Sequence, residues 1–119
     1  MKLLIVDDSS VVRRAIERDL SSCEISDVDQ AENGEEAIRL YSLKTHDVVT
    51  LDITMPKMDG LTCLDQILQI NPAARVLIIS ALRDRSTAID AIKRGASGFL
   101  CKPINPDELR EAFRLLLSD

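Results

Sequence analysis

The chain alternates short, continuous apolar runs with longer segments in which apolar residues recur every three or four positions. Three runs are strongly apolar: LLIV (3–6), VVTLDI (48–53) and VLIIS (76–80). Continuous apolar runs are typical of strands covered on both faces, so these three are predicted to be central strands. ISDVDQ (25–30) is largely polar and GFLC (98–101) is short, so both are predicted to be edge strands.

Five amphipathic helices are predicted between and after these strands, with starts at capping residues and ends near Gly or Pro. The first covers about 11–21 and is capped by Ser9 or Ser10, and the second covers about 34–43 and is capped by Asn33. The third runs from near Gly60 to Asn71–Pro72, and the fourth runs from a cap at Ser86 to just before Gly95. The fifth begins at Pro106, after Asn105. The apolar face of the fourth helix is expected to carry Ala88, Ile89 and Ile92.

Strands that alternate with helices form right-handed βαβ units, which require a parallel sheet with helices on both faces. The strand order 2-1-3-4-5 places the three most apolar strands in the centre. We therefore predict an α/β, flavodoxin-like (βα)₅ doubly wound fold, with one domain over residues 1–119. In that order the first and third strands form a switch point, and ligands bind there at the carboxyl ends of the strands.

Composition narrows the possible functions. The net charge of −5 argues against a protein that binds nucleic acid directly. No apolar run approaches the roughly 18 residues of a membrane span, and the N-terminus does not have the pattern of a signal peptide. The three cysteines, Cys23, Cys63 and Cys101, are expected to be free thiols in a reducing cytoplasm.

Polar side chains follow the predicted strands at ends that share one edge of the sheet: Asp7, Asp8, Asp52, Ser80 and Lys102. Two carboxylates about 4 Å apart repel by roughly 4 kcal/mol at an effective dielectric near 20, so three of them require a cation. An all-oxygen site with room for water suits Mg²⁺. Such a site suits phosphoryl transfer, with Asp52 as nucleophile and with Lys102 and Ser80 contacting the phosphoryl oxygens.

Four stretches, LLIVDDSSVVRR, DVVTLDITMPKMDGL, VLIISA and GASGFLCKPI, resemble the receiver domain of two-component response regulators. The resemblance covers essentially the whole chain and is closest to chemotaxis receivers of the CheY type. It implies a signalling phosphoacceptor that is loaded by a sensor histidine kinase. Such a protein is not a metabolic enzyme, since it catalyses only its own phosphorylation and its slow autodephosphorylation.

The resemblance also implies roles for single residues. Asp52 would be the phosphoacceptor. Asp8 and Asp52 would bind Mg²⁺ directly, Asp7 would hold it through water, and Thr54 would add its backbone carbonyl. Lys102 would contact the phosphoryl group.

Signal output would depend on a second group of residues. Ser80 would be the switch hydroxyl, and Phe99 stands where the family has Tyr or Phe as the switch aromatic residue. A downstream protein would dock on the face formed by the fourth helix, the fifth strand and the fifth helix. The Lys102–Pro103 peptide bond would be cis, and Pro56 and Gly60 would shape the loop after Asp52.

Other functions remain open from the residues alone. A haloacid-dehalogenase-like phosphatase would need a second acid two residues after its nucleophile, where this chain has Thr54. A flavodoxin would need a Gly/Ser/Thr-rich phosphate loop in place of DDSSVVRR. A receiver could also be the N-terminal part of a longer regulator, with a CheB-type methylesterase or a DNA-binding output domain.

Several further polar residues are expected to have no chemical role. His46 should help to end the second helix or face solvent, and Arg13 and Arg14 should lie on the solvated face of the first helix. Arg83 and Arg85 could meet a partner or the phosphoryl group, although a solvated loop is favoured.

Overall fold

The computed structural model describes residues 1–53, 55, 58–81 and 85–118. In these ranges, strands and helices alternate in the predicted order. The elements are β1 (Lys2–Val6), α1 (Ser10–Asp19), β2 (Asp27–Ala31), α2 (Gly34–Lys44), β3 (Val48–Asp52), α3 (Gly60–Ile70), β4 (Arg75–Ala81), α4 (Arg85–Arg94), β5 (Gly98–Lys102) and α5 (Pro106–Leu117). No helix in the described ranges is long and apolar enough to cross a membrane.

The strands form one parallel sheet in the order β2-β1-β3-β4-β5, which confirms the predicted flavodoxin-like topology. Every residue of β3 is buried, whereas β5 is only half-buried at the edge. The register pairs Val6 with both Ala31 and Leu51, and Asp52 with Ile79. The carboxyl ends of neighbouring strands therefore lie along one edge of the sheet.

Two hydrophobic cores cover the two faces of the sheet, because successive strand residues point to opposite faces. On one face, α1 and α5 pack Ile16, Leu20, Leu109 and Phe113 against Leu3, Ile5, Val48, Leu77 and Ile79. On the other, α2, α3 and α4 pack Ala37, Tyr41, Cys63, Leu64, Ile67, Ala88 and Ala91 against Leu4, Val6, Val49, Leu51, Val76 and Ile78. Helices on both faces are what the three central apolar runs require.

Helix α4 differs from its predicted form in two respects. It begins at Arg85, so Ser86 lies inside the helix and the predicted cap is wrong. Its buried residues are Ala88 and Ala91, while Ile89 and Ile92 are 48% and 41% exposed. The small alanines form the stripe that meets the core, and this packing turns the two isoleucines toward the outer surface.

His46 is buried, so the expectation that it faces solvent is wrong. Its Nε2 lies 2.7 Å from Asp29 Oδ2, and its ring stacks on Tyr41 with centroids 5.9 Å apart. The hydrogen bond to His46 lowers the pKa of Asp29, against an opposing effect of burial, and Lys44 lowers that pKa further. This pairing ties the connection between α2 and β3 to the edge strand β2.

Gly60 closes the loop between β3 and α3. Its N–H donates to the carbonyl oxygen of Ile53 at 2.6 Å. A Cβ at this position would lie 2.3 Å from Ile53 Cα and 2.7 Å from the carbonyl oxygen of Asp52. Gly60 therefore shapes the loop after Asp52, as predicted, whereas Pro56 lies outside the described residues.

We expect Gly60→Ala to lower the free energy of unfolding by roughly 1–3 kcal/mol, because the new methyl group would meet backbone atoms that no side-chain rotation can move. Gly98→Ala is the matched control, since its Cβ would make an ordinary 3.6 Å contact with Leu77 Cδ1. Urea unfolding of both variants measures the difference. Equal unfolding free energies would show that the close approach at Gly60 places no constraint on the loop.

Candidate functional site

Four predicted site residues come together at the carboxyl edge of the sheet. Asp7 directly follows β1, Asp52 ends β3 and Lys102 ends β5. One carboxylate oxygen from each of Asp7, Asp8 and Asp52 lies within 4.8 Å of the others. Asp7 and Asp52 are only 1% and 6% exposed, whereas Asp8 is exposed. The site is thus a partly buried acidic cluster that opens to solvent at Asp8.

Lys102 supplies the positive charge next to this cluster. Its Nζ lies 3.1 Å from Asp7 Oδ2 and 3.5 Å from Asp52 Oδ2. Burial lowers the pKa of Lys102, but the hydrogen bond to Asp7 and the charge of Asp52 outweigh that effect and raise it above the usual value. Lys102 is therefore a cation at neutral pH, and its peptide bond to Pro103 is cis, as the resemblance implied.

Asp7 is held by its neighbours as well as by Lys102. Its Oδ1 accepts a hydrogen bond from the Ser9 N–H at 2.9 Å, and Ser9 also caps α1. Its own N–H donates to the carbonyl oxygen of Ala31 at 3.1 Å. Its carbonyl oxygen accepts from Arg13 Nη1 at 2.6 Å. These contacts link the loop after β1 to both α1 and β2.

Sequence reasoning missed Arg13, which does not lie on the solvated face of α1. With 3.6 residues per turn, Arg13 lies about 60° around the helix from the buried Ile16, while Arg14 lies about 160° away. Arg14 is exposed, and within the described ranges it bonds only to Ser10 in its own helix. The helical angle is thus a signal that could have separated the two arginines.

Ser80 and Phe99 lie on the same face of adjacent strands. Ser80 is 1% exposed, and its hydroxyl donates to the carbonyl oxygen of Ala81 at 3.3 Å. Ile78 is the register partner of Phe99, and Ser80 is the partner of Cys101. Phe99 is half-buried and packs against the core under α2, α3 and α4. The two residues are therefore close neighbours across the sheet.

The sequence also assigns possible contacts to Thr54, Arg83 and Arg85. Thr54 and Arg83 lie outside the described residues, so their proposed contacts stay predictions. Arg85 is exposed at the first position of α4.

The donor set fits a small divalent cation. Among the residues that the structure describes, three carboxylates converge on one ammonium, so negative charge predominates in the cluster. All the donors are carboxylate oxygens, the ligands that Mg²⁺ prefers, and the exposed side of the cluster leaves room for water ligands. Asp7, Asp8 and Asp52 are thus the residues that could hold the ion.

Comparisons with known proteins agree with this geometry. The family model "Response regulator receiver domain" matches residues 3–114. The chain is 45% identical over 112 residues to the chemotaxis protein CheY of Listeria monocytogenes, with 94% of each chain covered. It is 41% identical over 104 residues to a protein-glutamate methylesterase/protein-glutamine glutaminase of Archaeoglobus fulgidus, with 87% of this chain and 30% of that protein covered.

A solved structure is similar as well. A chain of the crystal structure of the CheX–CheY–BeF3–Mg²⁺ complex from Borrelia burgdorferi superimposes with a TM-score of 0.94 at 36% identity. The match covers 100% of this chain and 90% of that one. These matches decide against the phosphatase and flavodoxin alternatives.

The charge balance of the cluster makes a testable prediction about Asp8. In EDTA, Asp8→Asn should raise the free energy of unfolding by about 1 kcal/mol, because it removes one of three mutually repelling carboxylates from an exposed position. With millimolar Mg²⁺ the wild type should gain stability and the variant much less. Thermal unfolding in both conditions measures these changes.

Glu24→Gln is the control for a general effect of net charge. Glu24 is an exposed acid that precedes β2, at the opposite end of the strands from the cluster. If Glu24→Gln changes stability as much as Asp8→Asn does, then repulsion within the cluster is not the cause.

Proposed function

The chain belongs to the family of response regulator receiver domains, and on that basis we propose that Asp52 accepts a phosphoryl group from a sensor histidine kinase. The observation that carries this proposal is the convergence of Asp52 with two further carboxylates and one ammonium at the edge of the sheet. A buried carboxylate at a strand end is costly unless it has partners, and this one has partners suited to phosphate chemistry.

The reaction requires few groups from the protein. A carboxylate oxygen of Asp52 forms the new P–O bond while the P–N bond to the donor imidazole breaks, and the imidazole leaves with the electron pair. Lys102 lies 3.5 Å from Asp52 and is placed to neutralise an incoming phosphoryl oxygen. Mg²⁺ bound by Asp7, Asp8 and Asp52 would supply further neutralisation of the phosphoryl oxygens. Asp7 stays oriented through its bonds to Ser9 and Lys102.

Ser80 would couple phosphorylation to the protein surface. Its hydroxyl now donates to a backbone carbonyl oxygen at 3.3 Å, a long bond that a phosphoryl oxygen could replace. Movement of the Ser80 side chain toward Asp52 would leave space on the face that it shares with Phe99. A ring rotation into that space is a shift between two packings, and the phosphoryl group can bias it only by contacting one packing better than the other.

The output surface would be the face of α4, β5 and α5. Ile89, Ile92 and Leu115 are all large apolar residues that are exposed on these helices. Large exposed apolar side chains on the helices of this face suit a protein partner. Because similar curated proteins are chemotaxis proteins, we place this receiver in chemotaxis or motility signalling. Its three cysteines are unpaired, which suits the cytoplasm.

A second candidate function is receiver control of an attached output domain. It is favoured by the similarity to the methylesterase, of which this chain matches only 30%. Phosphorylation of Asp52 would then change the contacts between the same face and an output domain in the same polypeptide.

Incubation with acetyl phosphate and Mg²⁺ should add one base-labile phosphoryl group, as expected for an acyl phosphate. Asp52→Asn should abolish the addition, because its amide oxygen is a poor nucleophile, and EDTA should suppress it in the wild type. Intact-mass spectrometry measures the modification, with Asp107→Asn, an exposed acid of α5, as the matched control. Full incorporation into Asp52→Asn would place the acceptor at another residue.

Ser80→Ala should still accept phosphate at Asp52 but lose most of the response of the α4, β5 and α5 face. Amide NMR shifts in β5 and α4, with and without beryllofluoride and Mg²⁺, measure that response. We expect the response to be lost because alanine lacks the hydroxyl that a phosphoryl oxygen would attract. A variant that responds as fully as the wild type would exclude Ser80 as the coupling residue.

A further inference from the structure

Arg13 bonds to the backbone of the loop that carries the acidic cluster, although the proposed phosphoryl chemistry does not use it. Its Nη1 donates to the carbonyl oxygen of Asp7 at 2.6 Å, and its Nε donates to Oε1 of Gln30 in β2 at 3.0 Å. Gln30 is itself held, because its Nε2 donates to Oε1 of Glu17 at 2.6 Å. A guanidinium is a rigid fork, so it fixes the distance between its two acceptors.

Strand β2, which contains Gln30, also holds the backbone N–H of Asp7. The Asp7 N–H donates to the carbonyl oxygen of Ala31, which is the residue after Gln30 in β2. Each peptide unit is planar, so a hydrogen bond to one of its atoms restrains the whole unit. The Ala31 bond restrains the unit before the Asp7 Cα atom, and the Arg13 bond restrains the unit after it. Together they restrain both backbone dihedrals of Asp7.

Asp8 depends on this backbone restraint more than Asp7 does. The Asp7 carboxylate has direct partners in Ser9 and Lys102. The Asp8 side chain is exposed, and within the described part of the chain no protein group bonds its carboxylate. The Asp7–Asp8 peptide unit, which ends at the Asp8 Cα atom, therefore sets the position of that carboxylate.

We propose that Arg13 is a positioning residue for the cation site: by holding the Asp7–Asp8 peptide unit, it keeps the Asp8 carboxylate where it can bind a divalent ion. This inference rests on the proposed function, since it needs Mg²⁺ to bind at Asp7, Asp8 and Asp52. Arg13 itself touches neither the ion nor the phosphoryl group.

The charge of Arg13 and its hydrogen bond have opposite effects on cation binding. A positive charge near the site repels Mg²⁺, so the loss of the charge alone would tighten Mg²⁺ binding. The loss of the hydrogen bond releases the Asp7–Asp8 peptide unit and would weaken binding. The direction of the change in Mg²⁺ affinity thus separates positioning from simple electrostatics.

The test is a Mg²⁺ titration of the ¹⁵N-labelled protein without phosphate, followed by amide NMR shifts. Arg13→Ala should raise the Mg²⁺ dissociation constant roughly tenfold, the low end of the usual effect of removing a group that orients a metal ligand. Arg14→Ala is the matched control, because it removes the same charge one residue away and, in the part of the chain that the structure describes, loses only a contact to Ser10 within α1. It should leave the dissociation constant unchanged or slightly lower.

Two further variants separate positioning from a general loss of structure. Gln30→Ala removes the partner of Arg13 without changing the net charge, and it should weaken Mg²⁺ binding in the same direction. Arg13→Lys keeps the charge but cannot span both acceptors, so its affinity should lie between those of wild type and Arg13→Ala. Urea unfolding in EDTA reports any loss of stability separately.

Each outcome of the titration has a definite meaning. If Arg13→Ala binds Mg²⁺ as tightly as Arg14→Ala, or loses only unfolding free energy, the positioning role is excluded while the proposed function stands. If the wild type shows no Mg²⁺-dependent shifts at Asp7, Asp8 and Asp52, the proposed function and this inference both fail. A weaker affinity in Arg13→Ala and Gln30→Ala, with an unchanged Arg14→Ala, supports the positioning role.

Discussion

Mutual repulsion among Asp7, Asp8 and Asp52 is the constraint on which the rest of this structure depends. Two of these carboxylates are almost fully buried, where an uncompensated charge is costly. Lys102 compensates one of the three charges directly, through contacts of 3.1 and 3.5 Å. A divalent ion is the proposed ligand that offsets the negative charge of the cluster. Lys102 and that ion would together face the negative oxygens of an incoming phosphoryl group.

The fold keeps these groups together in spite of their repulsion. Three central strands are buried on both faces, and their carboxyl ends share one edge because all the strands are parallel. The two loops that carry the acids are restrained where they leave the sheet. Gly60 lets α3 start against the backbone of Asp52 and Ile53, and β2 holds Asp7 through Ala31 and Arg13. These contacts hold the backbone at Asp7 and Asp52 in place before any ligand binds, and preorganised groups of this kind are what transition-state stabilisation by charge requires.

The surface through which a signal would leave includes a helix, α4, that buries only small side chains. Helix α4 meets the core through Ala88 and Ala91, which bury much less apolar area than isoleucine would. Ile89 and Ile92 remain exposed and available to a partner. A helix with so little buried area costs less to repack than α3, which buries Leu64 and Ile67. A site held by fixed backbone contacts, next to a helix that buries only small side chains, suits a switch driven by one covalent modification.

The sequence by itself determined the strand order and the identity of the acidic cluster. Apolar runs and the residues that end them are local signals, and a parallel topology converts those ends into one shared edge. Only the tertiary structure decided which face of α4 is buried, that His46 pairs with Asp29, and that Arg13 rather than Arg14 donates a hydrogen bond to the loop after β1. In each case the deciding partner is distant in sequence or is a backbone carbonyl oxygen. The helical angle distinguishes Arg13 from Arg14 as the arginine nearer the buried face, but neither kind of partner can be read from the pattern of residue types, so only the folded chain identifies the partner.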